Sequence, residues 1–139
     1  MNEDKIVAEA TASNDGEIYS TELLAGSFKL RADEPVGVGG KGLGPNPGEY
    51  LCMALASCKV ITLRMYAGRK NWKVDTITVK VRHVKGDDDP NENVFLCELH
   101  LTGELTTEQQ QRMLDIAKKC PVDRLLGKAS SIVTVVSGF

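Results

Sequence analysis

Two cysteines that lie far apart in the sequence have settings that bear on thiol chemistry. Cys58 lies within a long apolar run, residues 50–62, and Cys120 directly precedes Pro121. Their separation is too wide for a CxxC metal knuckle or a thioredoxin-type motif. If the fold brings the two sulfur atoms together, the chemistry they favour is a cycle between two thiols and a disulfide.

The local sequence predicts a different environment for each of these thiols. Burial in an apolar run raises the pKa of a thiol, so a reactive Cys58 needs a cation or a hydrogen-bond donor beside its sulfur. The neighbours Lys59 and Arg64 lie on other faces of the helix and do not supply it. Cys120 is the expected N-cap of a short helix beginning at Pro121, where free backbone N–H groups favour a thiolate. The alternatives are a Cys58 that is a small core residue and a Cys120 that merely joins two helices. Cys52 and Cys97 are interpreted as core residues.

Length and composition limit the classes of function. The 139 residues suffice for one domain, and the net charge of −2 gives no electrostatic attraction to nucleic acid or anionic lipid. No apolar stretch approaches the ~20 residues of a membrane span, and residues 1–5 lack the features of a secretory signal. We therefore expect a cytoplasmic protein whose disulfides are transient. The histidines, His83 and His100, fall in expected strands, and no cysteine or histidine spacing resembles a zinc site, so no metal site is predicted.

Hydrophobic periodicity predicts an α+β chain. Alternating residues indicate strands, turn signals such as Asn14-Asp15-Gly16 separate them, and a glycine-rich loop follows. Within that loop, Gly37–Gly42 matches G-x-G-x-x-G, but Pro45 and Pro47 separate it from the next helix, so a flap over a pocket is favoured over a nucleotide site. The predicted strands are 5–12, 17–22, 26–31, 72–83, 93–103 and 132–136, and the predicted helices are 47–68, about 107–119 and 121–127.

The helix that carries Cys58 has a clear predicted start. Asn46 can cap it, Pro47 suits its first position, and Glu49 can bond back to the Asn46 amide. Glu49 has a second interpretation, as a carboxylate that orients an arginine beside a buried cysteine. Gly68 is the expected end. The helix is apolar on several faces, which is typical of a buried helix, and its expected buried stripe consists of Leu51, Ala54, Leu55, Cys58, Thr62 and Met65.

Three motifs in this order resemble the OsmC/Ohr family. They are residues 44–51 (Gly-Pro-Asn-Pro-Gly-Glu-Tyr-Leu), residues 54–58 (Ala-Leu-Ala-Ser-Cys) followed by Thr62, and Cys120-Pro-Val. The resemblance covers nearly the whole chain and implies a single OsmC-like domain over residues 1–139. It also implies an α+β fold with antiparallel sheets, a long buried central helix and an intertwined homodimer. The two active sites would lie at the subunit interface.

The resemblance also implies a reaction, the thiol-dependent reduction of organic hydroperoxides in an antioxidant stress response. By position, Cys58 matches the peroxidatic cysteine, which becomes a sulfenic acid. Cys120 matches the resolving cysteine, which condenses with that acid to a disulfide. An external dithiol restores both thiols, and no cofactor is needed.

The chain departs from the family pattern near the proposed site. The peroxidases that it resembles carry a glutamate right after the Asn-Pro pair and an arginine in the early strands. Here the residue after Pro47 is Gly48, and Glu49 comes one position later, which turns the side chain by ~100° on a helix. The first arginine of this chain is Arg31. Glu49 and Arg31 are the expected assisting residues, with Arg64, Arg82 and Arg124 as other possible activators. The departures motivate a second hypothesis, an OsmC-like protein that binds small molecules or senses redox state with little or no turnover.

Overall fold

The computed structural model describes residues 5–137, which fall into two compact units, one ending at Leu51 and the other beginning at Cys52. Each unit is described by itself. The predicted α+β class, with antiparallel sheets and a long helix, is confirmed, whereas the single domain over residues 1–139 stays a prediction. The elements are β1 (Thr11–Ser13), β2 (Thr21–Ala25), β3 (Phe28–Ala32), α1 (Pro47–Lys70), β4 (Lys73–Lys85), β5 (Asn93–Glu104), α2 (Thr107–Ala117) and α3 (Pro121–Leu126).

The first unit contains an antiparallel meander in the order β1-β2-β3. The Asn14 side chain holds the first turn: its amide donates to the carbonyls of Glu17 and Ser20 at 2.8 and 2.9 Å. The predicted first strand, residues 5–12, is wrong in extent, because only Thr11–Ser13 pairs with β2 and residues 5–10 are exposed. Alternation alone cannot show where the neighbouring strand ends.

The buried carboxylate of Asp33 organises the glycine-rich loop. Asp33 is 2% exposed and accepts hydrogen bonds from the backbone N–H groups of Glu34 at 2.7 Å and Leu43 at 3.1 Å. Burial is the largest single influence on the Asp33 carboxyl and raises its pKa. The backbone hydrogen bonds and the Arg31 charge together lower the pKa by more, so the net pKa lies below the ordinary value of 3.8. The loop is thus tied to a charged side chain that must remain ionised.

Replacing Asp33 by asparagine is expected to destabilise the protein at neutral pH and to matter less in acid. Because the folded-state pKa is lowered, the stabilisation is fully present above pH 3.8 and is lost as pH falls through the folded-state pKa. Denaturant unfolding of parent and variant across that range measures the difference. The exposed Asp15→Asn variant is the control. A difference that stays constant down to about pH 2 would contradict the assignment.

Helix α1 begins where the sequence predicts. The Asn46 amide donates to the Glu49 carboxylate at 3.0 Å, and the Glu49 amide donates to the Asn46 side chain at 2.8 Å, which completes the predicted capping box. The predicted end at Gly68 is wrong, because the helix continues to Lys70. Asn71, with φ of 56°, supplies the left-handed residue that ends it.

The predicted buried stripe of α1 does not match the face that is buried in the structure. The buried residues are Leu55, Lys59, Leu63, Tyr66 and Ala67, so Leu55 is the only member of the predicted stripe among them. The opposite face is open, with Ile61 53% and Met65 64% exposed. A helix that is apolar on nearly all sides has no periodic signal from which to choose its core face.

Helix α1 is also long and apolar enough to cross a membrane by length and composition alone, which corrects the expectation that no such segment exists. Only 28% of its most apolar window is buried within the chain. The core helix of a soluble protein meets the same criterion.

The second unit is built on the antiparallel hairpin of β4 and β5. The ladder shifts between Val74 and Thr76, opposite Gly103, whose φ of +133° favours glycine. Residues of α1, the start of β4 and α2 form the core cluster of this unit. Its members are Leu63, Tyr66, Ala67, Val74, Met113 and Ala117, with Trp72, Ile77, Leu99, Leu101, Leu105 and Ile116 packed against them.

The predicted last strand, residues 132–136, is wrong for the chain as described. Residues 128–137 contain no helix or strand, and Ile132 is 90% exposed. The alternating sequence favours an extended conformation, but a strand also requires an unpaired edge beside it. The capping box of α2, between Thr106 and Gln109, and the short helix after Cys120 are confirmed.

Candidate active site

Cys120 lies in the turn between α2 and α3 and is fully buried. It is the N-cap of α3, as expected, and Pro121 occupies the first helical position. The Asp123 backbone N–H donates to the Cys120 sulfur at 3.4 Å. The sequence pattern therefore fixes both the place of this thiol and its hydrogen-bond donor.

The structure brings Cys58 and Cys120 together. Burial is the largest influence on the Cys120 thiol and raises its pKa above the ordinary value of 9.0. The hydrogen bond from Asp123 lowers the pKa, and the neighbouring Cys58 side chain raises it through hydrogen bonding and charge. The expectation that the helix N-terminus favours a thiolate is correct in direction, but burial outweighs it. Cys120 is consequently a protonated thiol at neutral pH.

Lys59, which follows Cys58 in the chain, is buried near the Cys120 thiol. Its ammonium donates to the Ala117 carbonyl at 2.7 Å and pairs with the Asp123 carboxylate at 2.5 Å. The Lys59 side chain is 5% exposed and that of Asp123 is 38% exposed. The sequence analysis missed this ion pair. The spacing of Leu55, Lys59 and Leu63, three residues on one face of a helix, was the available signal.

Cys97 is exposed, which corrects the prediction of a core residue, and Cys52 is half-buried. Partial burial raises the pKa of Cys97, the Lys59 ammonium lowers it, and Asp123 and Cys52 raise it, with a net increase. Cys97 lines an open cavity of about 250 Å³. The other lining residues are Leu55, Glu92, Asn93, Val94, Phe95, Asp123, Leu126 and Gly127.

The expected assisting residues lie in the first unit. Glu49 serves in the capping box. The Arg31 guanidinium donates to the Ser20 hydroxyl, and the Arg31 carbonyl accepts from the Tyr50 hydroxyl at 2.5 Å. Their assistance to Cys58 stays a prediction.

Two of the other arginines have partners within the second unit. Arg64 donates to the carbonyls of Val74 at 2.7 Å and Asp75 at 3.1 Å. Arg82 pairs with Glu98 at 3.7 Å on the surface. Both arginines thus bind groups of the hairpin, while Arg124 is exposed on α3.

The described residues therefore combine two adjacent free thiols, Cys58 and Cys120, with a buried ammonium group. Within residues 5–137, no group of three or more His, Cys, Asp or Glu side chains could hold a metal ion. Such a site can exchange two electrons by closing and opening a disulfide.

Comparison with solved structures supports the fold. An OsmC-like protein from Mycoplasma pneumoniae has a TM-score of 0.71 at 17% identity, over 88% of this chain and 89% of that one. The organic hydroperoxide resistance protein OhrB of Bacillus subtilis has 0.58 at 20% identity, over 86% and 90%. A Vibrio cholerae structure with captopril bound in one of its active sites has 0.62 at 16% identity, over 90% and 88%. At these identities the similarity shows the fold alone.

Comparison of the sequence itself identifies the family. No curated protein matches this chain. A family model described as OsmC-like protein matches residues 39–135, which is more than half of the sequence and includes both Cys58 and Cys120. The chain belongs to the OsmC-like protein family.

Proposed function

We propose that this protein is a thiol-dependent peroxidase that reduces organic hydroperoxides, with Cys58 as nucleophile and Cys120 as resolving cysteine. The observation that carries the proposal is the proximity of these two free thiols, which lie 62 residues apart in the chain. Two solved structures of the same fold, from Bacillus subtilis and Elizabethkingia anophelis, are organic hydroperoxide resistance proteins.

The first step oxidises Cys58. Its thiolate attacks the distal oxygen of the hydroperoxide, an S–O bond forms, and the O–O bond breaks. The alkoxide takes a proton and leaves as an alcohol, while Cys58 becomes a sulfenic acid. Sulfur loses two electrons and the peroxide gains them.

The second step uses Cys120. The Cys120 sulfur attacks the Cys58 sulfenic sulfur, an S–S bond forms, and the S–O bond breaks. The proton that Cys120 retains at neutral pH accompanies the leaving hydroxide, which departs as water. An external dithiol then reduces the disulfide by thiol–disulfide exchange and restores both thiols. The cycle needs no cofactor.

The surroundings of Cys58 on α1 support an organic substrate. At helical spacing Cys58 shares its face with Ala54, Ile61 and Met65, and both Ile61 and Met65 are exposed. An alkyl group that covers such a surface is stabilised by about 25 cal/mol per Å² of buried apolar area. Hydrogen peroxide cannot gain this contribution.

The same exposed face supports a homodimer. Monomeric proteins rarely leave so many apolar side chains of one long helix in water, and a second copy of α1 would cover them. We place the reaction in the cytoplasm, where a dithiol reductant keeps cysteines reduced. The proposal includes no nucleic acid or membrane partner.

A second candidate is a binding or redox-sensing protein with little or no turnover. Gly48 in place of a glutamate favours it, because Glu49 is occupied by its capping box. The captopril held in an active site of the Vibrio cholerae protein favours it too. Efficient catalytic consumption of hydroperoxide would exclude this candidate.

Treating the protein with one equivalent of cumene hydroperoxide is expected to create a Cys58–Cys120 linkage that is absent beforehand. Peptide mapping under non-reducing conditions detects it. The Cys120→Ser variant should consume one equivalent and then stop, with a sulfenic acid on Cys58 that dimedone traps, because nothing resolves it. Cys97→Ser is the matched control, since it removes an exposed thiol outside the proposed pair. A Cys120→Ser variant with the parent's steady-state turnover would contradict the resolving role.

A further inference from the structure

One lysine holds both sides of the turn that carries Cys120. Ala117 is the last residue of α2, and Asp123 lies in the first turn of α3. The Lys59 ammonium donates to the Ala117 carbonyl at 2.7 Å and to the Asp123 carboxylate at 2.5 Å. Along the chain, Cys120 therefore lies between two residues that bind the same nitrogen atom of Lys59 on α1.

The burial of Lys59 makes this arrangement costly to rearrange. A buried ammonium requires hydrogen-bond acceptors, and its bonds to charged partners are among the strongest in proteins. Both acceptors come from the segment that contains Cys120, and Lys59 itself is adjacent in sequence to Cys58. The ion pair thus links the helix of one thiol directly to the turn of the other.

We propose that Lys59 is a positioning residue, which clamps the α2–α3 turn so that the Cys120 thiol stays beside Cys58. The inference rests on the proposed pairing of these two cysteines, but it does not require that peroxide be the oxidant. Its consequence is a high effective concentration of the Cys120 thiol at Cys58, and hence a disulfide that forms readily and resists reduction.

Equilibration with dithiothreitol measures that effective concentration directly. The Cys58 and Cys120 thiols lose two electrons and two protons and form one S–S bond. The cyclic disulfide of oxidised dithiothreitol accepts both electrons and both protons and opens to the dithiol. The fraction of Cys58–Cys120 linkage at each ratio of the two forms gives the equilibrium constant. No hydroperoxide takes part.

The Lys59→Met variant is expected to lower this equilibrium constant by about tenfold or more, since it removes two charge-assisted hydrogen bonds from the turn. A tenfold loss corresponds to about 30 mV in the reduction potential of the pair. Lys119→Met is the matched control. It removes a positive charge directly beside Cys120, but the Lys119 side chain is exposed, so its equilibrium constant should equal the parent's.

A second variant protects the test against misfolding. Lys59→Met alone leaves the Ala117 carbonyl and the Asp123 carboxylate without their donor. The double variant Lys59→Met, Asp123→Leu replaces the pair by apolar side chains of similar length, a change that buried ion pairs often tolerate. It should show the same loss, because it also lacks the link between α1 and the turn.

Unfolding measurements separate positioning from simple stabilisation. A merely structural contact would lower the stability of the reduced and the oxidised protein equally, and the dithiothreitol equilibrium would not change. An unchanged equilibrium in a folded Lys59 variant would overturn the inference, as would a parent that forms no Cys58–Cys120 linkage. A third outcome separates the two proposals. If oxidised dithiothreitol forms the linkage in the parent and Lys59→Met weakens it, but the parent does not consume hydroperoxide, the proposed function is refuted and the positioning role is supported.

Discussion

The Cys58→Ser variant is expected to lose hydroperoxide reduction almost completely, by about a thousandfold or more in rate. A serine hydroxyl cannot accept the peroxide oxygen and then form a disulfide. Stopped-flow measurement of cumene hydroperoxide consumption with an excess of dithiol reductant checks this. The residual rate should equal that of the reductant alone.

The control for this substitution is Cys97→Ser, which removes another thiol of the second unit while leaving Cys58 and Cys120 in place. Its rate should match the parent's. If Cys58→Ser were as active as the parent, the proposed chemistry would be wrong at its first step. Loss of activity in Cys97→Ser alone would instead assign the reaction to the exposed thiol.

The Ile61→Asp variant is expected to convert the proposed homodimer into monomers. Ile61 is 53% exposed near the middle of α1, on the face that a second copy would cover. Each dimer would bury two unpaired carboxylates, and a penalty of ~3 kcal/mol or more weakens association by about a hundredfold or more. Sedimentation equilibrium of parent and variant over a range of concentrations measures the change.

The matched control for the dimer is Leu114→Asp, which puts the same charge on an exposed apolar position of α2. It should sediment like the parent. A parent that is monomeric at all concentrations would contradict the homodimer. Retention of the parent in a membrane fraction would show that a bilayer, and not a second copy, covers the apolar face of α1.

Local signals predicted the elements that position the two cysteines. The start of α1 depends on Asn46, Pro47 and Glu49, which interact within a single turn, and the start of α3 depends on Cys120 and Pro121. Such caps need only the residues beside them. The approach of Cys58 to Cys120 is a long-range contact, and it was expected only through the resemblance to a family.

The errors lie where partners decide the structure. Residues 132–136 have the composition of a strand, yet they pair with nothing in the described chain. The buried face of α1 depends on which side meets the hairpin, and its sequence is apolar on both sides. Neither property is encoded locally, because a ladder edge and a helix-packing surface are supplied by other segments.

The ion pair of Lys59 was missed for a different reason. Lys59 was set aside because it lies on another face of the helix from Cys58, and its interaction with Asp123 spans 64 residues. Cys97 was assigned to the core from its alternation with Phe95 and Leu99, although the described hairpin leaves its side chain exposed. The sequence thus led to two thiols that lie close together, and it did not reveal the groups around them.

The Cys120 sulfur, which accepts a hydrogen bond from the Asp123 backbone N–H, would have two roles in this protein. That sulfur begins α3, a helix of only six residues, and it is also the atom that would enter the disulfide. Oxidation would withdraw electron density from the acceptor and turn it toward Cys58, so the first turn of α3 would loosen in each cycle. Deuterium uptake at the Asp123 amide is therefore expected to be faster in the oxidised protein than in the reduced protein.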